Sequence, residues 1–382
     1  MDHLLINPKI CGECSVPGCH LKCSCKTVFY CGPKCQMKHW RVHKKVCVVA
    51  LARKIRHARR EHGQDNVVVA LARLEAGNAL RKQGRFGDAE RCLLDADRIC
   101  SEVNLRESRN NQDDLQGQIY LGLGMTYWDM DLHDEALKFL QKGLGVFRNT
   151  KGEGSQEVGR ALVCIGDILH SRGSYEESLK ALEEGNQILQ EVIGVDRMSL
   201  ADIMLSRGIC YLHMGELDKA RFMFEESLRS NRNNPYTLLQ LGVVERKIGC
   251  LAKASVLFQE ALGVARSLYG ENHTTVSSIF NNLAELLFKQ DHLDEALKMH
   301  KKAIKILRRV SGGGHADTGY TLACMGNILM RQGKHRKALK RYNEGILILS
   351  QTDGPKRPDI TYLENDIAIC KSMVHKEDKV TT

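Results

Sequence analysis

The chain is short of the residues that interrupt helices and build sheets. Its 382 residues include six prolines and two tryptophans, and aromatics make up 5% of the total. Proline breaks a helix interior by removing a donor and clashing with the preceding turn, so its scarcity leaves helix open almost everywhere. Few aromatics and abundant Ala, Leu, Glu, Lys and Arg argue the same way. Long apolar runs are also missing. The best is VCVVALA at 46–52, far below the roughly eighteen residues of a membrane span. The opening MDHLLINPKI has no basic stretch followed by a long apolar run, so no secretory leader is expected.

What is present is unevenly placed. Eight of the fifteen cysteines precede residue 48. Residues 1–60 carry thirteen Lys/Arg against Asp2 and Glu13, whereas the remainder has 43 basic and 44 acidic residues. Cysteines clustered at two- and three-residue spacings indicate metal binding in a reducing compartment, which makes a cytoplasmic or nuclear protein the expectation.

Zinc takes four tetrahedral sulfur or nitrogen ligands, and two ligands a tight turn apart can chelate one ion. Cys11 and Cys14 form such a pair, as do Cys31 and Cys35, while His43 and Cys47 are spaced for consecutive turns of one helix face. Three pairs and one more make two sites. Coordinated cysteine is deprotonated, so two ions on seven thiolates would lower the charge of the block from +11 to +8.

The order Cys11-x2-Cys14, then Cys23 and Cys25, then Val-Phe-Tyr-Cys31-x3-Cys35-Gln36, Trp40 and His43-x3-Cys47 resembles a MYND-type zinc finger over about residues 11–47. The resemblance implies interleaved sites, with Cys11, Cys14, Cys31 and Cys35 on one Zn²⁺ and Cys23, Cys25, His43 and Cys47 on the other. One departure stands out. The family's second pair is usually C-x2-C, whereas Ser24 alone separates Cys23 from Cys25, so Cys19 or His20 could replace Cys23. The family also implies a shallow groove for short proline-containing peptides, to which Gln36 and Trp40 correspond. These two are four apart and share a helix face. Trp40 serves equally as packing between finger and following helix.

After the finger runs VVALARKIRHARREHG, with Val48, Val49, Leu51 and Ile55 on one face and Arg53, Lys54, Arg56, Arg59 and Arg60 crowding the rest. Without aromatic interleaving or a base-reading motif, a linker helix docked on the next domain is the favoured expectation over nucleic-acid contact through residues 22–60.

Beyond about residue 70 a frame recurs. Gly77, Gly124, Gly166, Gly208, Gly242, Ala284 and Gly326 are separated by 47, 42, 42, 34, 42 and 42 residues. Twelve residues after each stands Ala89, Ala136, Ser178, Ala220, Ala254, Ala296 or Ala338. Small residues at these places let two helices of a pair approach closely. This is the frame of tetratricopeptide repeats, seven of them. The 42-residue spacing and the run Phe280-Asn281-Asn282-Leu283-Ala284-Glu285-Leu286-Leu287 resemble the repeats of kinesin light chains.

The expected architecture is therefore all-α: a two-zinc finger at 1–50, a basic linker helix at 51–69, and a right-handed α-solenoid of about seven helix pairs at 70–360. The pairs should start near 70, 117, 159, 201, 235, 277 and 319, followed by a capping helix from 361 and a frayed tail. Residues 104–116 are expected to be a loop. Asn281 and Asn282 are candidates to bond the backbone of an extended peptide, or else to bond within their own repeat. Gln36, Trp40, Asn281 and Asn282 are thus the peptide-binding candidates. The repeats lack the Lys and Asn set that clamps acidic chaperone tails, and no sequence remains for the methyltransferase domain that accompanies some MYND fingers. Nothing marks a nucleophile with its base, a phosphate loop or a small-molecule substrate site. The expected function is a non-enzymatic adaptor for proteins or peptides, away from membranes, with a nucleic-acid-associated regulator as the alternative.

Overall fold

The computed structural model describes residues 21–22, 29–30, 48–104, 110–192, 197–311, 316–352 and 358–381. Within the finger, β1 (Leu21–Lys22) pairs antiparallel with β2 (Phe29–Tyr30), Leu21 opposite Tyr30 and Lys22 opposite Phe29. Every other described element is helical.

The described helices divide into two compact units, one ending at Met214 and one beginning at Gly215. The first unit contains α1 (Val48–His62), α2 (Val67–Arg81), α3 (Phe86–Asn104), α4 (Asn110–Asp129), α5 (His133–Lys151), α6 (Gln156–Ser171), α7 (Tyr175–Glu191) and α8 (Arg197–His213). The pairs α2–α3, α4–α5 and α6–α7 each pack along their length, and each pair then meets the next. The second unit contains α9 (Leu217–Ser230), α10 (Pro235–Ile248), α11 (Leu251–Tyr269), α12 (Thr274–Lys289), α13 (Leu293–Ser311), α14 (Ala316–Arg331), α15 (His335–Thr352) and α16 (Pro358–Thr381). Its pairs are α10–α11, α12–α13 and α14–α15. Among the described residues no helix is long and apolar enough to cross a membrane.

The recurring small residue explains the pairing. A Cβ built on Gly77 would stand 2.6 Å from Leu93, and one on Gly124 or Gly166 2.6 Å from Leu140 or Leu182. On Gly242 it would be 2.5 Å from Phe258. In each case the first helix offers bare backbone to a side chain sixteen residues on. The residue twelve on is also close, and Ser178 uses its hydroxyl to donate to the Gly166 carbonyl at 2.7 Å. Tight turns follow the first helix of a pair at Gly84, Gly173, Gly249 and Gly333, all with positive φ, where a residue without Cβ is unstrained. The turns after α4 and α12 instead place Asp131 and Asp291 at φ 60° and 64°. Asp tolerates that region better than most side chains.

The shortest second helix belongs to the repeat with the shortest spacing. The second helix spans 19, 17, 19 and 19 residues in α5, α7, α11 and α13 but 14 in α9, whose repeat has the 34-residue spacing. Asn234 caps α10, its side chain accepting from the N–H groups of Tyr236 (3.0 Å) and Thr237 (3.3 Å), with Pro235 in the first turn.

Three expected boundaries differ. The loop expected at 104–116 is helix on both sides, since α3 runs to Asn104 and α4 begins at Asn110. The linker helix is α1 at 48–62, and a second helix has already begun at Val67, capped by Asn66. The C-terminal segment does not fray at 376, because α16 continues to Thr381. Ile360, Leu363, Ile367 and Cys370 of α16, three or four residues apart, are buried in the last core cluster. A bond of 2.5 Å between His335 and Glu377 ties its last turns down.

Gly242→Ala should cost about 1–3 kcal/mol by driving a methyl group into Phe258. Gly263→Ala, where nothing lies within 4 Å of the added carbon, should gain about 0.5–1 kcal/mol. Urea denaturation of the full chain measures both.

Candidate functional site

Cys11, Cys14, Cys19, His20, Cys23, Cys25, Cys31, Cys35, Gln36, Trp40, His43 and Cys47 lie outside the described residues. The hairpin lies between the ligand pairs: β1 ends immediately before Cys23 and β2 immediately before Cys31. The donor chemistry, thiolates with one imidazole at chelating spacings, suits Zn²⁺. The described residues contain no other cluster able to hold a metal ion.

The helix that leaves the finger is anchored. Leu51 of α1 is buried and Ile55 half-buried, packed with Ala76, Ala79 and Cys92 of the first repeat, and Ala58 is buried in the cluster that holds Val69, Ala70, Ala72 and Leu74. Lys54 pairs with Glu75 of α2. This is the docked linker, with Arg53, Arg56 and Arg60 left on the solvent side.

The second candidate surface is the wall formed by the first helices of the pairs. These helices adjoin one another: α2 meets α4, α4 meets α6, α6 meets α8, and, in the second unit, α10 meets α12. Ion pairs and hydrogen bonds cross the junctions. Arg81 bonds Asp129 at 2.8 Å, Arg246 bonds Glu285 at 2.7 Å, and the Thr275 hydroxyl donates to the Tyr236 phenol at 2.8 Å. Arg331 bonds Asp291 at 3.1 Å and sets its guanidinium 5.1 Å from the Phe288 ring centre. Lys247, Lys289 and Asn327 remain exposed.

Asn281 and Asn282 separate in role. Asn281 donates its amide to Thr321 Oγ1 at 2.9 Å, and its Oδ1 lies 3.0 Å from His300 Nδ1. Thr321 in turn donates to the Asp317 carbonyl at 2.6 Å. Since the amide nitrogen serves Thr321, the oxygen faces the imidazole, and His300 carries its proton on Nδ1. Both ends of the Asn281 amide are therefore occupied within the fold, joining α12 to α13 and α14. Asn282 spends one hydrogen on the Ser278 carbonyl at 3.0 Å, and its Oδ1 has no partner among the described residues.

His300 was not among the residues singled out from sequence. It is buried, and burial pulls its pKa down to about 4. A signal for it exists: sixteen residues after the small residue of each frame stand Leu93, Leu140, Leu182, Phe224, Phe258, His300 and Tyr342. The one titratable imidazole among apolar and phenolic side chains falls where Ala284 replaces glycine.

In the first unit, burial raises the Asp167 carboxyl to about 6; a bond from Ser206 opposes the shift and the Asp202 charge adds to it. His170 and His213 lie with Tyr175 in one aromatic group, Tyr175 stacked on His213 at 5.2 Å. Burial, then the His213 charge, lowers the His170 pKa. Cys164 and Cys324 are pushed up to about 12 by burial, which fits small core fillers rather than nucleophiles.

Comparison with known proteins agrees with this geometry. The family model for the tetratricopeptide repeat matches residues 115–185, 157–233 and 235–309, and that for the MYND finger matches 10–47. Protein KINESIN LIGHT CHAIN-RELATED 2 of Arabidopsis thaliana is 27% identical over 183 residues, covering 46% of this chain and 27% of that protein. KINESIN LIGHT CHAIN-RELATED 3 is 23% identical over 251 residues, covering 62% and 37%. The chain thus spans less than half the length of either relative. Among solved structures, the apo quorum sensor NprR from B. thuringiensis aligns with a TM-score of 0.65 at 17% identity, covering 82% of this chain and 86% of that one. The apo form of RapI aligns at 0.57 and 18%, covering 73% and 97%. At these identities the likeness concerns the fold.

The depressed His300 pKa fixes a pH response. Between about 6.5 and 4 the unfolded chain binds the proton and the folded chain does not, so this contribution is complete above 6.5 and lost as pH falls through that window. It amounts to roughly 3 kcal/mol. Denaturation at pH 7.5 and pH 4 should show that loss in the wild type and a markedly smaller one in His300→Gln. Asp167→Asn should do the reverse in sign. The raised carboxyl weakens the fold above about 6, so the variant should be the more stable protein at pH 7.5 and lose its advantage at pH 4.

Proposed function

Because the chain belongs to the tetratricopeptide-repeat family, with a MYND finger ahead of the repeats, we propose that it is a non-enzymatic adaptor that joins two protein partners. The finger takes short proline-containing motifs through Gln36 and Trp40, and the repeat wall takes an extended segment of a second protein. The observation that carries this reading is the docking of α1. The helix begins at the residue after Cys47 and is fixed to the first repeat by Leu51, Ile55 and Ala58, so two binding modules are joined by a packed helix instead of a loose tether. Linkage of that kind raises the effective concentration of one partner near the other.

Each module uses chemistry suited to a peptide. An indole offers a rigid apolar plane to a preformed polyproline helix at small entropic cost. On the repeat wall, the free Asn282 oxygen can accept from a backbone N–H, and exposed Lys247 and Lys289 stand ready for carboxylates. Two Zn²⁺ ions hold the finger in this reading, on Cys11, Cys14, Cys31 and Cys35 and on Cys23, Cys25, His43 and Cys47. Thiolate ligands favour a reducing compartment, cytoplasm or nucleus.

Trp40→Ala should lower the affinity of the full chain for proline-containing peptides about tenfold or more, while metal analysis still finds two zinc ions per chain and the helical circular dichroism is unchanged. Loss of zinc in that variant would instead make Trp40 a structural residue of the finger.

A further inference from the structure

The second helices depart from their own frame at one junction. Counted from the small residue of the sixth repeat, offsets 17, 21, 24 and 25 hold Lys301, Lys305, Arg308 and Arg309. No other second helix carries more than one cation at these offsets: the second repeat has Gln141, Gly145, Arg148 and Asn149, and the fifth has Gln259, Gly263, Arg266 and Ser267. Offset 15 is uncharged in six repeats, as Cys92, Phe139, Ala181, Met223, Leu257 and Met299, and becomes Arg341 in the seventh. Lys301, Lys305 and Arg308 follow one another at i, i+4 and i+7, so they share one line of α13.

These five cations, and no carboxylate, line a depression of about 400 Å³ between α13, α14 and α15, a volume within the roughly 300–1,000 Å³ of small-molecule sites. Its floor of Ile304, Leu322 and Met325 is closed core and serves only as a base. Glu344 bridges two of the cations, Arg308 at 2.9 Å and Arg341 at 2.8 Å, and so holds both guanidiniums at the rim. Arg309 donates to the neutral Asn272 at 3.2 Å, and Lys301 and Lys305 have no acidic partner among the described residues. Five cations against one bridging carboxylate leave four positive charges unmatched. Like charges one helical turn apart repel, and an anion seated among them relieves that repulsion.

We propose that this depression binds a compact molecule carrying two or more phosphate groups, which Lys301, Lys305 and Arg309 contact directly while Arg308 and Arg341, held by Glu344, present their remaining N–H groups. A phosphate near neutral pH carries about 1.5 to 2 negative charges, so a single one leaves the cluster uncompensated and two or three match it. Guanidinium groups suit phosphate because their forked N–H groups bond two oxygens at once. The chemistry is that of an inositol polyphosphate, free or as the headgroup of a membrane lipid. Nucleic acid is disfavoured, since no aromatic side chain lines the depression for a base to stack on. None of the wall residues takes part, so the site stands or falls independently of the adaptor reading.

The test is isothermal titration calorimetry of the full chain with inositol trisphosphate at physiological salt, beside inositol monophosphate and a short single-stranded DNA. The trisphosphate should bind, and the monophosphate about tenfold more weakly or worse. Lys301→Gln with Lys305→Gln should weaken the trisphosphate about tenfold or more, with the melting temperature of the free chain unchanged or raised, while Lys337→Gln with Lys340→Gln, outside the lining, should cost less than about threefold. If the first double variant lowers the melting temperature, Arg309→Gln replaces it, with a loss of about threefold or more expected. Sedimentation with phosphatidylcholine vesicles, with and without phosphatidylinositol bisphosphate, separates the two sources. Retention on the bisphosphate vesicles that excess free trisphosphate leaves in place assigns the lipid headgroup; displacement, or no retention, assigns the soluble molecule. Absence of trisphosphate binding, equal affinity for the monophosphate, binding that survives the Lys301 and Lys305 exchange, as a site on the α1 arginines would, or DNA that competes with the trisphosphate and shares its dependence on these lysines would overturn the proposal.

Discussion

The repeat array depends on one close approach. Where the first helix of a pair lacks a Cβ, the side chain sixteen residues on drops against bare backbone, and at Gly77, Gly124 and Gly166 the backbone carbonyl of the residue twelve on lies 3.1–3.3 Å from where that Cβ would stand. Leu93, Leu140, Leu182, Phe258 and Tyr342 all make this contact, and all are at most 2% exposed. Interiors packed at crystal density do not absorb an extra methyl group without displacement. The glycine is thus what allows the pair to exist at its observed spacing, and the pair is what presents a wall.

The sixth repeat meets the same constraint differently. Ala284 supplies the methyl group that glycine withholds elsewhere, and the opposing position holds His300 in place of a branched or aromatic chain. A buried imidazole is tolerable when neutral and bonded. Asn281 provides the bond and then reaches Thr321 in the following repeat. One local exchange therefore converts an apolar contact within a pair into a polar network across two pairs. The network specifies register as well as proximity, since each donor has one geometrically suitable acceptor.

Much of this was legible in the residues. Fixed spacing between small residues exposes the pairs, because close helix crossing restricts volume more than chemistry, and glycine or alanine at a regular interval is hard to conceal. The role of Asn281 was legible only as a choice between binding a peptide and bonding within the fold. Deciding it required knowing that His300 lies nineteen positions away on one side and Thr321 forty on the other. The polar stretch at 104–116 misled because polar residues are compatible with helix as well as loop: α3 runs to Asn104 and α4 begins at Asn110. The C-terminal helix outlasts its expected end for a tertiary reason, the His335 and Glu377 contact, which no local propensity contains.

Charge is where averaging concealed most. Across residues 61–382 basic and acidic side chains nearly cancel, yet they cancel in different ways on different faces. Along the first helices Arg81, Arg246 and Arg331 each have a carboxylate from the same wall. A partner arriving there must exchange these pairs for its own, so charge brings it little net attraction. On α13, Lys301 and Lys305 have no acidic partner among the described residues. An anion arriving there replaces solvent instead of a bonded partner, so attraction acts at a distance and speeds encounter. The wall is therefore suited to recognising shape and backbone, and the outer helices to recognising charge, within a domain whose net charge would suggest neither.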